Sequence, residues 1–263
     1  MGLKALLLAF VVAVSPASYL ASRQQPDGGF AERGGRSAPE LTSWAVLGLV
    51  AAGEPPAGAA SYLASKPTAD TTDIALRALA LRALGADAGS MLDRLTARAD
   101  GRIGTLVNST IWGVLALRAA SRPVPTSSVR YLLRRQRPSG GWSWYQRGAP
   151  DSNDTAAAIQ ALRAVGVGGK PIARGLTYLR RLQGKDGGFA LVPGRASDSQ
   201  STAWAIQAFI AAGKKPPAAA FRFLARMRRA DGSYRYSARY AVTPVWVTAQ
   251  VMPALARKPF PLK

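Results

Sequence analysis

Apolar and polar positions follow two different helical patterns that alternate along the chain. Segments such as 132–135 (LLRR) and 179–182 (LRRL) combine one apolar stripe with one basic face. Segments such as 202–207 (TAWAIQ) are apolar around most of the circumference. A helix with a single apolar stripe lies at a surface, whereas a helix that is apolar on nearly all sides is buried. The pattern therefore predicts outer helices that alternate with inner helices.

The pair of helices recurs six times, at a period of about 45 residues. Its clearest copies join an aromatic–leucine start, a glutamine and a Gly-Gly-aromatic turn, in residues 19–30, 131–142 and 178–189. Residues 223–234 keep the spacing without the glutamine. The second repeat has no Gly-Gly turn, which predicts a short outer helix, and the third lacks both the glutamine and the aromatic residue.

A helical pair of this kind cannot bury its apolar face alone, so neighbouring pairs must stack. Twelve helices in six pairs are enough to close a ring. We predict an all-α fold, an (α/α)6 toroid or barrel, as a single domain over residues 19–263. The expected repeat boundaries lie near 19–61, 62–90, 91–130, 131–177, 178–222 and 223–263.

The inner helices can be aligned on a threonine, at positions 42, 72, 110, 155 and 202, with Pro244 in the last copy. All six helix starts should then point to one end of the ring. The alignment places a polar residue two positions before the threonine in five repeats, namely Glu40, Asp70, Asn108, Asn153 and Gln200. It places four tryptophans at one equivalent position, namely Trp44, Trp112, Trp204 and Trp246. We expect a polar rim around a central cavity, with the tryptophans either packing the core or lining that cavity.

Residues 136–142 (QRPSGGW) resemble the Q-x-x-x-G-x-W repeat of squalene and terpene cyclases, and of the wider prenyltransferase/squalene-cyclase repeat superfamily. The resemblance covers nearly all of the chain after about residue 18. It implies the α/α-toroid fold and leaves the activity open. In physical terms, the glycines suit a tight turn, and the glutamine amide can satisfy backbone groups of a neighbouring helix end.

Residues 151–156 (DSNDTA) are similar to the D-x-D-D-T-A segment of class II terpene and squalene cyclases. The resemblance implies that the middle aspartate of that segment is the acid that protonates an alkene or epoxide. Asp151 and Asp154 match the outer positions, but Asn153 stands in the place of the acid. Because an amide cannot donate a proton at useful acidity, we expect that step to be absent. The alternative interpretation is that these residues cap a helix.

The chain contains neither histidine nor cysteine. The resemblance raises the possibility of a zinc site, as in protein prenyltransferases and lanthionine-forming cyclases. Those sites use cysteine and histidine ligands, so they cannot be built here. Complement-type thioester chemistry and histidine-based acid–base catalysis are excluded as well. We expect no metal and no cofactor.

The net charge is +21, from 35 basic and 14 acidic side chains, and the excess lies in residues 101–263. Stacked outer helices would place many of these arginines on one wall. An anionic lipid or a cell-wall polymer is the expected partner of such a wall, and no nucleic-acid motif is present. The alternative is an ordinary solvated face. The arginines concerned are Arg130, Arg134, Arg135, Arg137, Arg174, Arg180, Arg181, Arg222, Arg226, Arg228 and Arg229.

The N-terminus has the pattern of a secretory signal. Lys4 precedes an apolar run over residues 5–14 and a small-residue segment that ends at Ala17. Such a run is too short to span a bilayer but suits the apolar region of a signal peptide. We predict a signal peptide over residues 1–18, cleavage after Ala17, and a secreted or envelope-associated protein. The alternative is a buried helix before the first repeat.

Three functional hypotheses follow. The first is a secreted, non-catalytic toroid that binds a small hydrophobic or amphipathic molecule, isoprenoid-like or corrinoid-like, in its cavity. The second is a degenerate terpene-cyclase-like or polyanion-cleaving enzyme, with Asp151, Asp154, Tyr145 and Arg147 as candidates. The third is a scaffold attached through its basic wall. The predicted cavity residues are Asp151, Asn153, Asp154, Gln200, Asn108, Trp44, Trp112, Trp204 and Trp246.

Overall fold

The structure is a computed structural model that describes residues 14–262. Its outer helices are α1 (Pro16–Ala21), α3 (Ala59–Ser65), α5 (Gly89–Asp93), α7 (Thr126–Arg135), α9 (Lys170–Arg181) and α11 (Ala218–Met227). Its inner helices are α2 (Pro39–Ala52), α4 (Thr71–Ala83), α6 (Val107–Ala119), α8 (Ser152–Ala164), α10 (Ser199–Ala211) and α12 (Pro244–Leu255). Two short antiparallel strands, β1 (Phe189–Ala190) and β2 (Ser197–Asp198), form one turn.

The inner helices form a closed ring. Each packs against the next in chain order, and α12 returns to pack against α2. At this seam between α2 and α12 the backbones touch, since a Cβ added to Gly48 would lie 2.7 Å from the carbonyl oxygen of Ala249. The predicted (α/α)6 toroid with inner and outer rings is thus confirmed.

One hydrogen bond recurs in five repeats and sets how each turn meets its inner helix. The backbone N–H of Trp142 donates to Thr155 Oγ1 at 2.9 Å, and both groups are buried. A buried N–H must find an acceptor, so the threonine determines the rotation of the helix beneath the turn. The equivalent pairs are Phe30 with Thr42, Ile103 with Thr110, Phe189 with Thr202, and Tyr234 with Thr248.

The Gly-Gly turn also contacts the next repeat. Gly140 has φ +99°, and a Cβ there would lie 2.4 Å from the carbonyl oxygen of Arg174 on α9. No larger residue fits that conformation or that approach. Gln136 Nε2 donates to the carbonyls of Gly140 and Pro171, both at 2.8 Å. The turn and its glutamine therefore tie one repeat to the outer helix of the following one.

The first turns of three inner helices are tied to the following repeat in the same way. In each, a free N–H of the helix start donates to a backbone carbonyl of the loop that precedes the next inner helix. The N–H groups in the first turn of a helix have no acceptor within the helix itself. The bonds run from Asn108 to Trp144 (3.1 Å), from Ser152 to Leu191 (2.9 Å) and from Ser199 to Tyr236 (2.7 Å).

The last inner helix uses a side chain for the same purpose. Glu32, in the loop before α2, accepts hydrogen bonds from the backbone N–H groups of Val245 (3.1 Å) and Trp246 (3.0 Å) at the start of α12. A carboxylate at a helix N-terminus is also favoured by the helix dipole. Glu32 therefore holds the first repeat against the sixth at the seam.

The outer helices of the first three repeats are short, with six residues in α1, seven in α3 and five in α5. This confirms the short outer helix predicted for repeat two. On the longer outer helices, several arginines are engaged with the protein itself. Arg134, Arg174 and Arg226 donate to backbone carbonyls of the preceding turn, those of Asp100, Pro138 and Asp186 respectively.

The predicted signal peptide falls mostly outside the described residues, which begin at Val14. Ser15 caps α1, its side chain accepting from the Ser18 N–H at 3.0 Å. The predicted cleavage after Ala17 falls inside this helix. Among the described residues, every helix is too short or too polar to traverse a bilayer.

Replacing Glu32 tests the closure of the ring. Glu32→Ala removes a charged acceptor from two helix N–H groups, so the free energy of unfolding should fall by about 1–2 kcal/mol. Glu32→Gln keeps one side-chain oxygen and should lose less. Urea unfolding of the two variants checks this order, and an alanine variant as stable as the wild type would contradict the proposed role of the carboxylate.

Candidate functional site

The first turns of the six inner helices surround a cavity of about 360 Å³. Such a volume lies in the usual range for small-molecule sites, roughly 300–1,000 Å³. All nine cavity residues predicted from the sequence lie in its lining. Glu40, which the sequence analysis placed in the polar rim, is also in the lining. The lining residues that the prediction did not include are Thr72, Leu76, Trp144, Ala157, Leu191 and Gln250.

Every inner helix contributes two lining residues four positions apart, which is the spacing of one helix face. The pairs form two rings, one above the other. The upper ring consists of Glu40, Thr72, Asn108, Asn153, Gln200 and Trp246. The lower ring consists of Trp44, Leu76, Trp112, Ala157, Trp204 and Gln250.

This arrangement corrects the predicted register of α12. The alignment on Pro244 made Trp246 equivalent to Trp44, which is wrong. Thr248, not Pro244, accepts the hydrogen bond from the turn, at 2.9 Å from the Tyr234 N–H. Trp246 therefore belongs to the upper ring, and Gln250 takes the lower position. The separation of turn aromatic and threonine, 12 to 14 residues in the repeats with an aromatic turn, was the signal that could have shown this.

The predicted register of α4 is also wrong. Asp70 was expected in the polar rim, but Thr72 and Leu76 line the cavity instead. Asp70 is the N-cap of α4, accepting from the Asp73 N–H at 2.9 Å. The second repeat lacks the turn whose N–H would define the helix rotation, so the sequence offered no anchor there.

Three tryptophans pack together as the floor of the cavity. The ring centroids of Trp44, Trp112 and Trp204 lie 5.3 to 5.6 Å apart, with edge-to-face geometry in each pair. Phe260, from the C-terminal tail, packs against all three at 5.8 to 6.3 Å. Its N–H donates to Gln160 Oε1 at 2.7 Å. The tail therefore supports the floor from the far end of the ring.

One side of the lining is a network of amides. Gln250 Oε1 accepts from Gln200 Nε2 at 2.8 Å and from the Trp204 indole at 3.1 Å. The Trp44 indole N–H is buried without a hydrogen-bond partner among the described residues. The amides of Gln200 and Gln250 therefore form the polar part of this side of the lining.

The opposite side of the lining holds a pair of buried carboxyl groups. Asp151 caps α8 by accepting from the Asp154 N–H at 2.8 Å, and Asn108 Nδ2 donates to Asp154 Oδ1 at 2.7 Å. Asp154 is only 4% exposed. Burial, and then the charge of Asp151, raise the pKa of Asp154 well above its usual value. Burial also raises the pKa of Asp151. The two carboxyl groups are therefore expected to share a proton.

Asn153, which occupies the position of the cyclase acid, lies in the upper ring. Its Oδ1 is 3.1 Å from the hydroxyl of Ser152. Of the other proposed catalytic residues, Tyr145 is 56% exposed and Arg147 is exposed, and neither is in the lining. The acid chemistry available in the cavity is thus confined to the Asp151–Asp154 pair and Glu40.

Glu40 lies at the mouth of the cavity, on α2. Its pKa is raised by partial burial and then by the nearby carboxylates of Asp73 and Asp70. Asp73 itself forms an ion pair with Arg77 at 2.6 Å. The mouth between α2 and α4 is therefore rich in acidic side chains.

Asp198 caps α10 as Asp151 caps α8, and its titration can be tested. Burial raises its pKa from 3.8 to about 6. The folded protein therefore keeps this proton to higher pH than the unfolded chain. The free energy of unfolding should fall as pH rises from about 4 to about 6, by up to about 3 kcal/mol.

Asp198→Asn keeps a cap oxygen for the Ser201 N–H but cannot ionise, so it should lack this decrease. Urea unfolding between pH 4 and pH 7.5 measures the difference from the wild type. The matched control is Asp70→Asn, at an exposed cap. If the free energy of unfolding of Asp198→Asn changes with pH as that of the wild type does, ionisation of Asp198 has no cost and the prediction is contradicted.

Comparison with solved structures shows the same fold in several bacterial proteins. A protein from Actinoplanes aligns with a TM-score of 0.69 at 19% identity, covering 92% of this chain and 97% of that one. A variant of the type II terpene cyclase MstE from Scytonema, in complex with geranylgeranyl dihydroxybenzoate as substrate, aligns with 0.67 at 15% identity, covering 92% and 95%. The ent-copalyl diphosphate synthase from Streptomyces platensis aligns with 0.58 at 20% identity, covering 83% and 50%.

Likeness at these identities establishes the fold alone. A comparison with curated proteins found no sequence match. The family model of the squalene-hopene cyclase C-terminal domain, however, matches residues 69–262, which is well over half of the chain. Together with the closed double ring of helices, this match shows that the chain belongs to the squalene-hopene cyclase C-terminal domain family.

Proposed function

We propose that the central cavity binds a small hydrophobic or amphipathic molecule and that the protein does not transform it. The observation that carries this proposal is the lining itself, with an aromatic floor of Trp44, Trp112 and Trp204 below a ring of polar side chains. Small-molecule sites combine an apolar wall with a few convergent polar groups in this way.

The side chain that occupies the position of the cyclase acid, Asn153, supports the absence of catalysis. Asn153 has no proton to give an alkene. Asp154 does retain a proton to higher pH than an ordinary carboxyl group, but it is engaged with Asp151 and Asn108. A buried, hydrogen-bonded carboxyl pair stabilises the start of α8 and needs no catalytic explanation.

An isoprenoid-sized ligand suits the cavity better than a corrinoid. A corrin macrocycle with its substituents is far larger than about 360 Å³. The MstE variant was solved with a geranylgeranyl compound, which is isoprenoid-like. This comparison concerns MstE, and it supports the choice of ligand class for this chain only through the shared fold.

Export and attachment to an anionic lipid or cell-wall polymer remain proposals from the sequence. The exposed Arg130, Arg181 and Arg222 on the long outer helices are available for such a partner. Arg134, Arg174 and Arg226 are partly engaged with neighbouring turns, which weakens the case for the whole wall. Ligand binding in the cavity is therefore the function that we favour.

Filling the cavity tests the proposed binding. Ala157 occupies the lower ring, where three other helices carry tryptophan, so Ala157→Trp should block the cavity and abolish binding of geraniol measured by calorimetry. Ala157→Leu should weaken binding less. The matched control is Ala225→Trp on the exposed face of α11, which should bind like the wild type. Circular dichroism checks that each variant keeps its helices, and unchanged binding in a folded Ala157→Trp variant would exclude the cavity as the site.

A search for turnover tests the absence of catalysis. We expect no cyclic product when the protein is incubated with geranylgeraniol or with squalene and the extract is analysed by mass spectrometry. The Asp154→Asn variant serves as the reference. A cyclic product that forms with the wild type and disappears in this variant would show that the carboxyl pair is a working acid, and would overturn the proposal.

A further inference from the structure

The cavity differs in charge from the rest of the protein. The chain has 35 basic side chains against 14 acidic ones, yet in the part that the structure describes no lysine or arginine lines the cavity. Three of the 14 carboxyl groups do line it, namely Glu40, Asp151 and Asp154. In the whole chain basic residues outnumber acidic ones by more than two to one, so the lining is acidic in a protein that is otherwise basic.

Tryptophan is concentrated in the same place. Five of the six tryptophans line the cavity, and they come from four inner helices and one loop. Trp44, Trp112 and Trp204 form the buried floor, Trp246 lies above Trp44 at a centroid distance of 6.2 Å, and Trp144 stands at the mouth, 48% exposed. The face of an indole ring carries negative potential and attracts cations more strongly than any other side-chain ring.

The acidic groups occupy the mouth and one wall. Glu40 lies beside Asp70 and Asp73, and its pKa is raised first by burial and then by these two charges. The Asp151–Asp154 pair lies across the ring, in the wall formed by the start of α8. Long-range repulsion from the basic outer surface is screened within about 8 Å at physiological salt, so the local lining dominates for a molecule inside.

From this lining we infer that the ligand of the cavity is an organic cation, an ammonium group carried on an apolar body. The inference rests on the proposed function and names the chemical class of the bound molecule. The indole rings supply apolar surface and cation–π attraction, and the carboxylates supply the opposite charge. Anionic ligands are disfavoured, because the lining has carboxyl groups and has no basic side chain to pair with them.

Three probes of nearly equal shape test the inference by calorimetry with the full chain. They are hexyltrimethylammonium, its uncharged carbon isostere 2,2-dimethyloctane, and heptanoate. We expect the ammonium compound to bind about tenfold more tightly than the uncharged isostere, and heptanoate to bind most weakly. The test is stringent, since a merely apolar cavity would prefer the uncharged molecule, which loses no hydration of a charge.

Two exposed positions allow substitutions that spare the core. Trp144→Leu keeps an apolar side chain at the mouth but removes the ring, and Glu40→Gln removes a charge without changing the size of the side chain. Each should weaken binding of hexyltrimethylammonium about threefold or more and leave 2,2-dimethyloctane unchanged. The matched control is Glu54→Gln, just after the C-terminal end of α2, and it should change the binding of neither compound.

The outcomes separate the two proposals. If the uncharged isostere binds as tightly as the ammonium compound, or more tightly, the inference fails while ligand binding in the cavity stands. If heptanoate binds most tightly, the inference fails as well. If none of the probes binds and geraniol also does not bind, the proposed function itself is overturned. The inference is supported if Trp144→Leu and Glu40→Gln both weaken the binding of hexyltrimethylammonium and not that of 2,2-dimethyloctane, while Glu54→Gln binds both as the wild type does.

Discussion

The ring of inner helices exists because α2 and α12 approach to backbone contact at the seam. Gly48 permits that approach, and Glu32 holds the two N–H groups at the start of α12 from the loop before α2. Three of the other inner helices, α6, α8 and α10, use a loop carbonyl of the following repeat instead. In a linear array the last repeat would have no following loop. The carboxylate of the first repeat provides the missing acceptor and so converts a stack into a closed ring.

Closure determines the character of the cavity. When six helices point the same way around one axis, their first turns meet at one end, with their free N–H groups, caps and positive dipole ends. The lower ring comes one turn further in, where the bore is narrow enough for Trp44, Trp112 and Trp204 to touch. Polar mouth and aromatic floor are therefore two consequences of the same geometry. Phe260 packs against the floor from the other end of the bore.

One position beside this cavity differs from the cyclase segment that residues 151–156 resemble. Asn153 places an amide at the edge of the bore, where the cyclase segment that it resembles has a carboxylic acid, while Asp151 caps α8 by accepting from the Asp154 N–H. The capping function depends only on hydrogen-bond acceptors, and proton donation depends on a free acid. The structure keeps the cap of α8 in place and has an amide at this position of the lining.

The sequence by itself determined the fold, the number of repeats and the end of the ring at which polar residues gather, and the nine residues that it singled out lie in the lining of the cavity. It could do so because each repeat carries its own short-range signals, a turn and a threonine 12 to 14 residues apart, and a helical period. The register failed in α4, where the turn is missing, and in α12, where Pro244 was mistaken for the anchor.

Only the tertiary structure decided the features that depend on distant pairs. Glu32 meets α12 across 213 residues of sequence, and Phe260 meets Gln160 across 100. Neither contact has a local pattern, because it arises from the curvature that accumulates over six stacked pairs. The same curvature brings tryptophans and carboxyl groups from separate repeats into one lining and turns the arginines away from it, and so it sets the charge of the cavity.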